Sequence, residues 1–246
     1  MNALRALWRL GRALVHALSG LATIVLVFPK LDAAQREDRV QAWARKMLSA
    51  LGIRLEVRGT PPARGPMLLV ANHISWLDIL VMHAARHCRF VAKAEVRHWP
   101  VVGRLATGAG TLYIERESRR DALRVVHRMA ECLRAGDVLA VFPEGTTSDG
   151  KGLLPFHANL LQAAISANAP ALPVALSFVD AATRAPSPAP AYVGNDTLLE
   201  SVWRTLTAPA LTAIVSYGEP QFARGLERRQ WAAQLRLAVT AVRDAR

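Results

Sequence analysis

From Ile53 onward, short apolar runs alternate with longer stretches that carry one apolar face. Leu55-Val57, Met67-Ala71, Phe90-Lys93, Thr111-Ile114, Val138-Phe142, Leu172-Val179 and Thr212-Tyr217 have the length and apolarity of strands. Between them, Trp76-Ala85, Arg119-Ala135 (ended by Gly136), His157-Ala167 and Gln230-Val242 have the period of helices. Gly103, Gly108 and Gly110 mark a loop-rich passage, Pro143-Gly152 a turn-rich loop, and Ala185-Ala191 a Pro/Ala surface loop. This order predicts an α/β fold with a mixed, largely parallel sheet flanked by helices. In such a sheet, ligands bind in the crevice beyond the carboxyl ends of the strands. The residues that matter are therefore those just past each apolar run.

The first such stretch is Asn72-His73-Ile74-Ser75-Trp76-Leu77-Asp78. On one straight helix, positions five apart point ~140° away from each other, so His73 and Asp78 cannot meet there. They can meet if His73 lies in the strand-to-helix turn and Asp78 in the first helical turn. Asp78 would then hold the tautomer of a general base. The same spacing also reads as a capping box, with Ser75 as N-cap and Asp78 reaching back to its N–H. Both readings stand at this point.

Two further strand ends carry polar groups. Arg116 follows Gly110-Thr111-Leu112-Tyr113-Ile114-Glu115, where a guanidinium could grip an anion. Val141-Phe142-Pro143-Glu144-Gly145-Thr146-Thr147-Ser148 combines a carboxylate, a glycine and three hydroxyls in a tight loop. Such a loop can offer backbone N–H groups to an anion and a carboxylate to a hydroxyl. If the strands are parallel, His73, Arg116 and Glu144 share one crevice.

The N-terminal segment does not fit the alternation. Arg5, Arg9 and Arg12 precede a nearly unbroken apolar run, Ala13-Phe28, closed by Pro29-Lys30. The run is long for a signal peptide and short for a membrane span of ~20 apolar residues. Arg39-Leu51 is amphipathic, with Val40, Trp43, Met47, Leu48 and Leu51 on one face. Residues 1–51 are thus expected to form two helices that associate with a membrane interface, followed by a catalytic domain over 52–246.

The formal net charge of +12 favours polyanionic partners. The arginines are dispersed and no nucleic-acid-binding motif is present, so an anionic membrane surface or an anionic substrate is expected, and no nucleic acid. His83 and His87 stand four apart beside Cys88, but no carboxylate-rich or cysteine-rich segment accompanies them, so no metal site is expected. The two cysteines, Cys88 and Cys132, fit a reducing compartment.

Taken together, these stretches resemble the glycerolipid acyltransferase family of 1-acylglycerol-3-phosphate O-acyltransferase. Asn72, His73 and Asp78 match its N-H-x-x-x-x-D block, Tyr113-Ile114-Arg116 its phosphate-contacting block, and Phe142-Thr146 its F-P-E-G-T block. Leu172-Pro173-Val174-Ala175 resembles its late proline-containing strand, and Lys93-Ala94-Glu95-Val96 with Pro100 and Gly103 its connecting region. The resemblance implies that His73, oriented by Asp78, deprotonates a lysolipid hydroxyl, which attacks an acyl thioester. Acyl-CoA or acyl-carrier protein would be the co-substrate, with no cofactor and no covalent intermediate. Asn72, Arg116, Glu144, Gly145 and Thr146 would bind substrate, Arg116 through the acceptor phosphate. The enzyme would sit on the cytoplasmic face of the inner membrane, where its thioester donors are; oligomeric state is left open. The product expected first is phosphatidic acid from 1-acyl-sn-glycerol-3-phosphate. One departure opens a second acceptor: Thr147 stands where the family block usually continues with arginine. One cation fewer suits lyso-ornithine lipid, whose head group lacks phosphate. A different class, a non-catalytic lipid-binding or membrane-remodelling protein, would lack turnover, as labelled thioester and lysolipid would reveal.

Overall fold

The structure, a computed structural model, describes residues 2–115 and 119–245. Its elements in chain order are α1 (Asn2–Leu26), α2 (Ala33–Leu51), β1 (Ile53–Arg58), β2 (Met67–Ala71), α3 (Leu77–Ala85), β3 (Arg89–Lys93), α4 (Val102–Gly108) and β4 (Leu112–Ile114). They continue with α5 (Arg119–Arg134), β5 (Val138–Val141), α6 (Leu161–Ala167), β6 (Ala171–Asp180), α7 (Leu198–Thr207), β7 (Leu211–Tyr217) and α8 (Arg228–Asp244).

The seven strands form one sheet in the order β1-β7-β6-β2-β5-β3-β4. All neighbours pair in parallel except β6 and β7. The expected mixed, largely parallel sheet is therefore present. Strands β2 and β5 are buried along their whole length, as central parallel strands must be when helices cover both faces. Their side chains divide by alternation. Met67, Leu69 and Ala71 pack with Met47, Leu48 and Leu51 of α2 and with Leu77, Val81 and Met82 of α3. Leu68 and Val70 pack with Met129 and Leu133 of α5, Leu161 of α6 and Trp231 and Leu235 of α8. Strands β2, β5, β3 and β4 all finish at one end of the sheet. The link from β6 to β7, which includes α7, is at that same end, because β7 runs back antiparallel from Asp180.

Two sequence expectations change. The passage around Gly103 and Gly108 is not loop but helix α4, preceded by a 3-10 turn at Ala94–His98. These glycines serve close packing. A Cβ on Gly103 would lie 2.2 Å from the Arg97 carbonyl oxygen, and one on Gly108 would lie 2.5 Å from Ile24 of α1. Helix α7 was not anticipated, although its N-terminus carries a complete capping box between Thr197 and Glu200.

The N-terminal segment is a helical hairpin. Helix α1 runs unbroken through both the arginine-bearing and the apolar stretch. Helix α2 starts at a capping box formed by Asp32 and Gln35 and stops at Gly52, whose φ of 75° is left-handed. The apolar face of α2 is spent on the core, with Ala44, Met47, Leu48, Ala50 and Leu51 buried. Helix α1 buries only a narrow small-residue stripe, including Ala6 and Ala13. Leu4, Leu7, Trp8, Leu14, Val15, Leu18, Val25 and Leu26 stay exposed.

Candidate active site

Strand β2 ends at Ala71, and the next residue stays attached to the sheet through its side chain. The Asn72 amide donates from Nδ2 to the Leu176 carbonyl at 3.0 Å, and its Oδ1 accepts from the Leu176 N–H at 2.7 Å. Asn72 is buried, so both ends of its amide are committed to β6. Asn72 thereby anchors the turn that carries His73.

His73 follows, and its imidazole Nδ1 lies 2.8 Å from Asp78 Oδ2. Asp78, fully buried in the first turn of α3, accepts at the same oxygen from the Ile74 N–H at 2.6 Å and the Ser75 N–H at 2.9 Å. Ser75 Oγ in turn accepts from the Leu77 N–H at 3.2 Å. One carboxylate thus both braces the turn that leads into α3 and orients His73, while the expected Ser75 N-cap is not formed: the N-cap is Trp76, which carries no side-chain cap bond. A carboxylate accepts only, so Nδ1 carries a proton, and in the neutral ring the lone pair falls on Nε2.

The Pro143-Ser148 loop grips the backbone of His73 from both sides. Glu144 Oε1 accepts from the His73 N–H at 2.8 Å, while the Ser148 N–H donates to the His73 carbonyl at 2.8 Å and Ser148 Oγ reaches it at 3.2 Å. The other oxygen of Glu144, Oε2, accepts from the Leu154 N–H at 2.8 Å. Burial raises the Glu144 pKa, and the two N–H bonds oppose that rise. With both oxygens on backbone N–H groups, Glu144 ties the His73 turn to the chain at Leu154. Gly145 adopts a φ of 72° in the turn, its N–H donating to the Phe142 carbonyl at 3.1 Å. Thr146 is exposed at the loop tip. Thr147 is engaged elsewhere: its hydroxyl donates to the Tyr192 carbonyl, and the Tyr192 N–H donates to the Ile74 carbonyl at 3.0 Å. The segment between β6 and α7 is thereby laced to the His73 turn.

Strand β4 delivers the chain to the same end of the sheet, but Arg116 itself lies outside the described residues. His83 and His87 stack on one another at 5.3 Å, and no cluster of three or more candidate metal ligands is present among the described residues. Sequence reasoning missed Phe142 as a contact of His73: the rings lie parallel, 4.0 Å apart. It also missed Tyr192 and the bond from Trp76 Nε1 to Ser201 Oγ of α7 at 3.2 Å. No local pattern announces these contacts, which join distant parts of the chain.

Comparison with known proteins gives a consistent picture. Residues 54–177 match the Acyltransferase family. The chain is 38% identical to a lyso-ornithine lipid O-acyltransferase of Pseudomonas aeruginosa, over 97% of this chain and 93% of that protein. It is 42% identical to a 1-acyl-sn-glycerol-3-phosphate acyltransferase of Neisseria gonorrhoeae, over 74% of this chain and 71% of that one. Among solved structures, the 1-acyl-sn-glycerophosphate acyltransferase PlsC of Thermotoga maritima shares the fold, with a TM-score of 0.69 and 22% identity over 98% of this chain and 94% of that one.

Proposed function

The chain belongs to the Acyltransferase family, and from that premise we propose that it moves an acyl group from a thioester to a lysolipid hydroxyl, with His73 as the general base. The observation that carries this mechanism is the His73 Nδ1 to Asp78 Oδ2 bond of 2.8 Å at the end of β2. The free Nε2 takes the proton of the acceptor hydroxyl as its oxygen attacks the thioester carbonyl. The C–S bond breaks on collapse of the tetrahedral intermediate, and the departing sulfur takes the proton back from Nε2. Acyl-CoA or acyl-carrier protein supplies the thioester, and this chemistry calls for no cofactor. Base catalysis contributes about 100- to 10,000-fold, so the remainder comes from positioning and carbonyl polarisation.

The acceptor has two readings. Similarity to the Neisseria enzyme supports 1-acyl-sn-glycerol-3-phosphate, giving phosphatidic acid. Thr147 favours lyso-ornithine lipid: at the position of the family's arginine it offers no cation, and its hydroxyl is committed to Tyr192. The P. aeruginosa relative, which aligns along nearly its whole length, supports the same acceptor. Purified enzyme with labelled acyl-CoA should make product from one of the two acceptors, with a kcat/KM at least about tenfold above the other, a difference of about 1.4 kcal/mol in transition-state binding. Acyl release with neither acceptor consumed would replace the transferase reading by a thioesterase.

We further propose that the enzyme works on the cytoplasmic face of the inner membrane, with residues 1–51 as the membrane-associating unit and α1 as its lipid-facing part. Helix α1 is long and apolar enough to span a bilayer, but it is held to the domain along its length. Arg5 and Arg9 donate to the Ala208 and Leu206 carbonyls, His16 meets the Trp43 carbonyl at 2.9 Å, and Ile24 packs over Gly108. A helix so held lies in the plane of the interface with its exposed leucines down. The double variant Leu7→Glu/Val15→Glu alters exposed side chains, so its melting temperature should match the wild type. Losing two side chains worth about 1.5–3 kcal/mol each on burial should cut vesicle binding by more than about tenfold in flotation. Unchanged flotation would discard this face as the membrane contact.

A further inference from the structure

We propose that Phe142 is a positioning residue for the general base, and that its ring face stabilises the imidazolium that forms on His73 during turnover. The proposal rests on the reading of His73 as the base and adds a residue to that site.

The torsion that turns an imidazole about its Cβ–Cγ bond is broad and poorly fixed by its own energetics. A single hydrogen bond at Nδ1 restrains one edge and still permits the plane to rock. In this structure the Phe142 ring lies against one face of the imidazole, 4.0 Å between centroids and 7° from parallel. Phe142 is itself wedged from behind. The Phe90 ring of β3 stacks on it at 5.6 Å and 18°, and Phe90 is buried. The rings of Phe90 and His83 of α3 meet edge to face, 5.0 Å apart and at 77°. The base is thus fixed at one edge by Asp78, at its backbone by Glu144 and Ser148, and over one face by Phe142. The Nε2 edge and the opposite face remain for substrate.

The stack also has an electrostatic sense. An aromatic face carries negative charge density and attracts a cation lying over it. His73 is neutral before proton transfer and cationic after it, so the attraction grows along the reaction. The two histidines at the far end of the column add no charge to compete with it. Burial pushes the pKa of His83 down to about 3 and that of His87 to about 4, which leaves both neutral near pH 7.

The test compares Phe142→Leu, Phe142→Met and Phe142→Tyr with the wild type in kcat, KM and melting temperature. Leucine and methionine fill the space without a π face; tyrosine keeps it. The expected result is a kcat about 2- to 30-fold lower for the leucine and methionine variants, the range that a cation–π contact spans. Both KM values should stay within about twofold, and the tyrosine variant should keep wild-type kcat. Wild-type kcat in a folded leucine variant, or equal kcat in the methionine and tyrosine variants, overturns the proposal. A leucine variant that fails to fold leaves the methionine variant and Phe90→Leu, which loosens the stack from behind, to give the same comparison. A second readout needs no acceptor. The ring protons of His73, assigned by their loss in His73→Ala, should be shifted upfield by the Phe142 ring current, and the shift should vanish in Phe142→Leu. An unshifted wild-type resonance overturns the stack even if the acceptor remains unidentified; inactivity toward every acceptor with the shift present counts against the transferase reading instead.

Discussion

Replacing His73 with alanine is expected to lower kcat by about 100- to 10,000-fold, the usual worth of a positioned base. The protein should remain folded. Asp78 keeps its bonds from the Ile74 and Ser75 N–H groups, and the backbone of residue 73 keeps Glu144 and Ser148. What is lost is a partly exposed ring stacked on Phe142, a contact worth about 0.5–1.5 kcal/mol beyond its area. Single-turnover assays with labelled thioester, beside a thermal melt, separate the two effects. Turnover at the wild-type rate in this variant would mean that another group removes the proton.

Asp78 gives the second large effect, and two substitutions divide it. In Asp78→Asn the amide oxygen can still accept from the Ile74 and Ser75 N–H groups, so the bracing of the turn survives in weakened form. The negative charge opposite Nδ1 is lost, and with it both tautomer control and stabilisation of the imidazolium. A loss in kcat of about 100- to 10,000-fold with a small change in melting temperature is expected. In Asp78→Ala the two N–H groups lose their partner inside the protein, at about 1–3 kcal/mol each. That variant should lose activity and stability together. If Asp78→Asn lowers only the melting temperature, the carboxylate is a brace for the turn and nothing more.

The strands most visible in the sequence are those whose burial is complete. Met67-Ala71 and Val138-Val141 read as apolar runs because helices cover both faces of the sheet there. The pairing of His73 with Asp78 was legible because five residues separate them and the turn between is short. Glu144 was visible as a polar residue past a strand, but its partner, the His73 N–H, is 71 positions away in the chain. A local pattern therefore shows the carboxylate but not the backbone groups that the fold brings to it. The glycines of α4 were misread for a related reason: Gly108 answers to Ile24 of α1, and composition cannot distinguish a glycine that bends the chain from one that admits a neighbour. Helix α1 was visible as a basic stretch followed by an apolar run and α2 as amphipathic, yet only packing shows that the apolar face of α2 is consumed by the core while much of the apolar surface of α1 is left over.

Asn72 has a consequence for how the enzyme moves. Its side chain copies a peptide group and extends the ladder beside β6 by one pair after the backbone of β2 has turned away. Breaking that pair means opening the centre of the sheet, so the His73 turn should exchange its amide protons nearly as slowly as the core does. The Leu176 N–H, bonded to a side chain, should rank among the most protected in the molecule. If that protection is measured, the base is seated on a slow-breathing part of the fold and stays in place as substrates enter and products leave.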